Sequence, residues 1–336
     1  MADPAIARSE FVFENNPVPS CHAATLVQAN DGSLVSAWFA GTAESKPDVG
    51  IWSARFVDGQ WTAPVEVANG VQPDGTRDPC WNPVLFQPRQ GKLMLFYKVG
   101  PSPATWWGML RTSDDSGRTW GDARRLPDTF LGPIKNKPMQ LSDGAILCGS
   151  SAEGLNPPPV WQIHFERTAD NGKTWQRIDV PQPQDSPAAI QPSILFLGGD
   201  KLLAVGRTKA SRIFSTTSQN NGLTGSRLTL LDLPNPNART DAVTLKDGRL
   251  LLIYNHTARG RNPLNLAVSN DGKTWNAALV LETKPKMEFS YPAIIQTRDG
   301  LVHAAHTWKR KRSKHVVIDP AKLTVVPIVN GQWPAQ

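Results

Sequence analysis

An octapeptide recurs along this chain at a nearly constant interval. Ser113-Asp114-Asp115-Ser116-Gly117-Arg118-Thr119-Trp120 returns as Thr168-Ala169-Asp170-Asn171-Gly172-Lys173-Thr174-Trp175 and, worn, as Val268-Ser269-Asn270-Asp271-Gly272-Lys273-Thr274-Trp275. A more decayed copy is Ser218-Gln219-Asn220-Asn221-Gly222-Leu223-Thr224-Gly225. The third positions, Asp115, Asp170, Asn220 and Asn270, are spaced by 55, 50 and 50 residues. A period of that size means a repeat architecture, in which each unit buries its apolar face only against its neighbours.

Each copy is turn chemistry. Asp or Asn at the third position can hydrogen-bond the backbone ahead of it, and Gly supplies a positive φ. The Ser or Thr hydroxyl can close the loop from the other side, and the terminal Trp can drop its ring between two sheets. The octapeptide is therefore read as a rigid hairpin tip, and its Asp residues as structural.

A second pattern gives a unit count. An apolar strand, a tight turn and another apolar strand recur at Asp31-Gly32, Gln90-Gly91, Asp143-Gly144, Gly199-Asp200, Asp247-Gly248 and Asp299-Gly300, with spacings of 59, 53, 56, 48 and 52 residues. Such dipeptides between apolar runs are hairpin signals. Six units of about fifty residues, each long enough for four strands, predict an all-β chain folded as a six-bladed β-propeller. The blades fall roughly at 20–66, 80–126, 135–181, 189–232, 239–282 and 289–328 of one domain spanning 1–336, with a closing strand within 9–14. A degenerate copy of the octapeptide ends the first blade at Asp58-Gly59-Gln60-Trp61.

Composition narrows the partners. The net charge of +7 suits an anionic ligand, and no run of eighteen apolar residues offers a membrane span. Neither membrane nor nucleic acid is expected as a partner; Lys309-Arg310-Lys311-Arg312 reads as an exposed strand end or turn. Cys21, Cys80 and Cys148 have no metal-ligand spacing and read as buried thiols. The N-terminus lacks the apolar stretch of a signal peptide, but a trimmed chain would begin the same way, so the compartment stays open. Phosphate-loop, zinc-protease, nucleophile-elbow and nucleotide fingerprints are missing, and no cofactor or metal is expected.

The repeat also predicts a site. The strand before each turn begins with a polar or aromatic residue followed by Pro or Ala: His22-Ala23, Asn82-Pro83, Lys137-Pro138, Gln191-Pro192, Asp241-Ala242 and Tyr291-Pro292. In a propeller this innermost strand lines the central channel, so these six side chains are expected to converge on one mouth. The following strand returns to the same face and is expected to deliver Asp48, Lys98, Arg207, Arg261 and His306. Convergent polar groups in a concavity form the default binding site.

With these residues in view, the chain resembles the sialidase (neuraminidase) superfamily over residues 10–330, and the octapeptides resemble that family's Asp boxes, or BNR repeats. The resemblance implies a Tyr nucleophile paired with a Glu, an Asp acid/base and three Arg that clamp a substrate carboxylate. Tyr291 resembles the nucleophile, Asp48 the acid/base, and Arg207 and Arg261 two of the clamp arginines. Two positions depart from the pattern. His22 stands where an Arg-Ile-Pro motif would begin, and Gln191 stands where the Glu would be. A neutral amide cannot take a phenolic proton, whose reference pKa is about 10.

Three functions stay open on the sequence. The first is an exo-acting glycoside hydrolase of sialidase type removing a terminal acidic sugar, with Tyr291, Asp48, His22 and Gln191 in the catalytic set. Arg207, Arg261, Lys137, Asn82, Asp241 and Lys98 would bind its acidic glycan substrate. The second is a uronate-directed lyase, or His-dependent glycosidase, using His22 and Tyr291. The third is a non-catalytic acidic-glycan-binding propeller. Trp106-Trp107 could stack on a sugar face in any of them.

Overall fold

The computed structural model describes residues 3–15, 17–154 and 160–335. Their strands form six antiparallel sheets, set as the blades of a β-propeller. The inner strands are Ser20–Gln28, Cys80–Phe86, Met139–Gln140, Ala189–Phe196, Asp241–Thr244 and Phe289–Gln296 for blades one to six. Strands such as Leu34–Gly41 are buried along their whole length. They read as continuous apolar runs because each sheet is covered on both faces by its neighbours.

Packing follows the ring. Six apolar clusters each join two adjacent blades, from Val35 with Leu93 between blades one and two, round to Leu26 with Ile295 between blades one and six. The ring is closed by the N-terminus. Ile6–Phe11 pairs antiparallel with Arg312–Ile318 as the outermost strand of blade six. Closure thus uses residues a little ahead of the Phe11-Val12-Phe13 segment; Val12 and Phe13 instead pack on blade one beside Trp38.

The octapeptides sit at the turns between third and fourth strands. In the first, the Asp115 carboxylate takes the Thr119 hydroxyl at 2.6 Å and its N–H at 2.9 Å, while Ser113 Oγ accepts the Gly117 N–H at 2.8 Å. Asp170 and Asn220 repeat this pattern. The fourth copy corrects the alignment: Asp271, not Asn270, accepts the Thr274 N–H at 2.7 Å, across a loop one residue shorter. Trp175 and Trp275 drop into the clusters between blades and donate their indole N–H to the Gly172 and Gly272 carbonyls.

The opposite ends of the inner strands are stapled. The Gln28, Gln140 and Gln296 amides each donate to the Gly carbonyl of their own turn, at 3.2, 2.9 and 2.8 Å. Each side-chain oxygen accepts a main-chain N–H from the preceding blade's turn, of Arg298, Arg89 and Lys246 respectively. Blade spacing at this end is fixed by hydrogen bonds as well as by apolar packing.

The three cysteines are free and buried, and burial pushes the Cys21 thiol up to about 12. Among the described residues no helix is long and apolar enough to cross a membrane.

Candidate active site

Four inner strands break register near their start, between His22 and Thr25, Trp81 and Val84, Ile190 and Ser193, and Ser290 and Ala293. At these bulges Ala23, Asn82, Gln191 and Tyr291 have φ of 62°, 42°, 60° and 52°. Non-glycine residues rarely occupy this region, and a bulge re-aims a side chain. Four strands spend backbone strain at one level of the channel, as functional sites do.

The pairing registers identify the equivalent residues in the other two blades. Gln28, Gln140, Phe196, Thr244 and Gln296 face Leu34, Ile146, Leu202, Leu250 and Val302 as the last pairs before their turns. Counting back five residues gives Ala23, Lys135, Gln191, Arg239 and Tyr291; the bulge adds Asn82 for blade two. Each lies eight residues before the first residue of its turn.

The mouth therefore differs from the predicted ring at three positions. Blade one contributes Ala23, with His22 one residue earlier. Blades three and five contribute Lys135 and Arg239, while Lys137 and Asp241 lie two residues further along, about 7 Å deeper. There Lys137 Nζ meets the Asp241 carboxylate at 3.1 and 3.2 Å and the Ala242 carbonyl at 2.7 Å. Asp241 also accepts from Ser193 Oγ and the Ile294 N–H, both at 2.9 Å. This pair ties blades three, four, five and six together across the channel.

Above it, Lys135 and Arg239 cross the axis fully buried. Lys135 Nζ donates to the Ala24 carbonyl at 2.9 Å, and Arg239 to the carbonyls of Lys135 at 3.0 Å and of Pro292, and to the Asn136 side-chain oxygen. Asn136 in turn donates to the Gln191 carbonyl at 2.8 Å.

Tyr291 stands at the centre of the mouth. The guanidinium carbons of Arg261, Arg239 and Arg207 lie 5.5, 5.8 and 5.9 Å from its ring centroid. The His22 ring is 4.0 Å away, tilted by 48°. His22 Nδ1 is 3.0 Å from Thr307 Oγ1, and its Nε2 is buried without a partner. Burial drives the His22 pKa well below its ordinary value, helped by Arg310, Arg261, Lys135 and Arg239, so the imidazole is neutral. Gln191 Oε1 and Arg207 Nε are also buried and unpartnered. Buried polar atoms normally find partners; the unpartnered Nε2 of His22 and the Nε atoms of Arg207 and Arg239 all lie beside this phenol, which makes it the candidate ligand position.

Arg207 donates to the Asn237 carbonyl at 3.0 Å and lies 5.3 Å from the Trp161 ring. Arg261 donates to Glu288 at 2.8 Å, and Glu288 also takes Ser290 Oγ at 2.8 Å and Arg310 Nε at 3.2 Å. Arg310 reaches on to Glu44 at 2.5 Å. The basic run at 309–312 is thus a turn, as expected, but one with φ of 53° and 55° at Lys309 and Arg310, which brings Arg310 to the mouth. Nothing in the charge pattern distinguished Arg310 from its neighbours.

Other expected residues are placed elsewhere. Lys98 is fully buried, donates to the Pro133 carbonyl and is brought down to about 7, first by burial. It anchors the segment before Lys135 and leaves the mouth. His306, on blade six, lies 3.3 Å from Glu282 on the fourth strand of blade five. Asp48 is on the connection after Leu34–Gly41, exposed, and binds the Thr42 hydroxyl and N–H at 2.5 and 2.7 Å. Those bonds hold its carboxyl below the ordinary value. Glu153, across the strand pair from Trp161, is displaced the other way: burial raises it against the pull of Arg207. Trp106 is half-buried and meets Trp81 edge-on at 6.0 Å.

The BNR repeat-like domain profile matches residues 32–304. The chain belongs to that family. It is a sialidase-like BNR-repeat protein in repeat, fold and topology. Solved structures with the same fold include a Hadza microbial sialidase, at a TM-score of 0.80 and 16% identity over 94% of this chain and 69% of that one. The intramolecular trans-sialidase of Ruminococcus gnavus matches at a TM-score of 0.77 and 13% identity, over 96% and 100% of the two chains. A Dyadobacter fermentans protein of unknown function matches at a TM-score of 0.75 and 17% identity, over 94% and 99%. No curated protein sequence matches.

Proposed function

We propose that this protein is an exo-acting glycosidase of sialidase type that removes a terminal carboxylated sugar. The observation that carries this reading is the cradle at Tyr291, where one phenol is flanked by three guanidiniums within 5.9 Å. Arg239 donates to the Lys135 and Pro292 carbonyls and the Asn136 amide oxygen and supplies charge; Arg207 and Arg261 would hold the carboxylate through charge-assisted bonds. The R. gnavus relative was captured with oseltamivir carboxylate, an anion of the kind such a cradle would take.

In this mechanism Tyr291 attacks the anomeric carbon. A carboxylate nucleophile would be repelled by the substrate's own carboxylate, and a phenol is not. The phenolic proton cannot pass to Gln191. His22 is the neutral base at hand, with a free Nε2 and its other nitrogen turned to Thr307. Asp48 would protonate the leaving oxygen. It must exchange its Thr42 bonds for the substrate to do so, because those bonds favour the ionised form.

The same neutral His22 beside Tyr291 favours a second reading. As a base it could remove the proton next to a uronate carboxylate while the cations stabilise the enolate, which is β-elimination. The test is a product screen on sialosides and uronate-terminated oligosaccharides, read by mass and by ultraviolet absorbance. Hydrolysis yields a saturated sugar; elimination yields an unsaturated, absorbing one. Tyr291→Phe should abolish hydrolysis. Turnover on none of these glycans would refute both readings and leave a binding protein.

A further inference from the structure

We propose that the opposite end of the channel, on the hairpin face, is a second binding site, for organic anions with an apolar body. Tyr291 and Gln296 lie five residues apart on one inner strand, about 16 Å. The Lys137–Asp241 pair lies between them, and the residues lining this opening include none of Tyr291, His22, Arg207, Arg239 and Arg261.

The chamber has two overlapping lobes of about 530 and 550 Å³, which share Arg89, Lys137, Pro138, Val243 and Lys246. That is the size of a small-molecule pocket. Its walls are apolar, from Val27, Leu85 and Ile295 on one side to Ile194 and Leu245 on the other. Its charge is of one sign. Arg89, Lys137, Lys246 and Arg298 line it, and no Asp or Glu does. Of the turn carboxylates nearby, Asp31, Asp143 and Asp247 pair with Arg55, Arg167 and Arg249, while Asp200 accepts from the Asn221 amide and Asp299 from the Thr297 hydroxyl and the Leu301 N–H.

Three of these cations also staple blades. Arg89 donates to the Leu141 carbonyl, Lys246 to the Thr297 and Arg298 carbonyls, and Arg298 to those of Asn30 and Ala29. These acceptors are neutral. They fix the side chains around the opening without cancelling their charge, and none of the three forms an ion pair among the described residues. A stapling role alone would be served by an amide, as Gln28, Gln140 and Gln296 show at the same rim. Fixed, uncompensated charge over apolar walls is the recognition chemistry for an aryl or alkyl sulfonate, carboxylate or phosphate.

The test is calorimetric titration of the full chain with 8-anilinonaphthalene-1-sulfonate at low salt. One site is expected, weakening as salt rises. The triple variant Arg89→Gln, Lys246→Gln, Arg298→Gln keeps an amide donor for each carbonyl and removes the charge; it should bind about tenfold more weakly. Val243→Trp fills the shared wall without touching the staples and should abolish binding. Tyr291→Phe should change nothing. Wild-type affinity in the Val243→Trp protein, or loss of binding in Tyr291→Phe, would overturn the proposal, and the Val243→Trp result decides if the triple variant does not fold.

Discussion

Substituting Asp241 by Asn tests whether this carboxylate is structural or catalytic. Its side chain is 2% exposed and is surrounded only by donors: Lys137 Nζ, Ser193 Oγ and the N–H groups of Ala242 and Ile294. An amide would turn an NH₂ toward one of these and leave a buried N–H unpaired, which costs about 1–3 kcal/mol. It would also remove the counter-charge of Lys137. Breaking one side of a buried ion pair costs about 3–5 kcal/mol, and the two costs overlap because both follow from one lost oxygen. Lys137 keeps the Ala242 carbonyl and is 22% exposed, so the lower end, about 3 kcal/mol, is expected. Urea unfolding at neutral pH should show a lower midpoint at unchanged slope. Lys137→Met should cost less in the Asp241→Asn background than alone, giving a coupling above about 1 kcal/mol. Acid supplies a second readout. Burial pushes the Asp241 pKa up, but Lys137, Arg239 and the Ile294 N–H outweigh it, and the folded pKa lies below the ordinary 3.8. The native state therefore gains stability above that unfolded value and loses it as pH falls toward the folded pKa, a loss the Asn variant should lack. A stable Asp241→Asn protein with additive costs and no turnover would refute the structural assignment and restore Asp241 to the site.

Further outcomes follow from the same contacts. His22 is buried neutral, so its folded pKa is below its unfolded one, and its contribution to stability is lost as pH falls below about 6.5; His22→Asn should flatten that part of the pH–stability curve relative to wild type. Asp170→Ala removes the bonds to Thr174 and Lys173. It should lower stability by only about 1 kcal/mol, since the turn is exposed, and leave ligand binding at the mouth unchanged by titration. Gly272→Ala places a Cβ 2.5 Å from Leu203 Cδ2 at a φ of +73° and should cost about 1–3 kcal/mol by denaturant unfolding. Arg310→Met should release Glu44 and weaken binding of carboxylated sugars at the mouth, measured by calorimetry.

The blades were legible because turn chemistry is local. Gly at a positive φ and Asp two residues from a Ser or Thr hydroxyl specify their own geometry, whatever surrounds them. Even there one residue of slack was hidden. The copy ending at Trp275 aligns by its Gly and Trp, yet its working acid is Asp271, because a loop shortened by one residue still closes on the Thr274 N–H. Sequence identity at a box position was a weaker guide than the bond that position has to make.

The site was legible in part for a related reason. Tyr291, Gln191 and Asn82 were found through the proline that follows each of them, and the same proline misled in blade three. Lys137-Pro138 has the right dipeptide at the wrong height, since its Pro lies beyond the level of the bulge. Distance to the turn is the better ruler: counting eight residues back gives Lys135 and Arg239 directly. The pleat explains why it works. With about 3.3 Å per residue, strands stapled at one end by Gln side chains present their other ends at a common height. No such ruler existed for Arg310, Glu288 and Glu44. They reach Tyr291 through a turn and two connections, and only folding brings those together. The cations at the phenol, Arg207, Arg239 and Arg261, follow the repeat, whereas the acids and the further arginine that hold Arg261 in place come from residues that the repeat does not index. Two propellers with identical repeats could differ in activity through such residues alone.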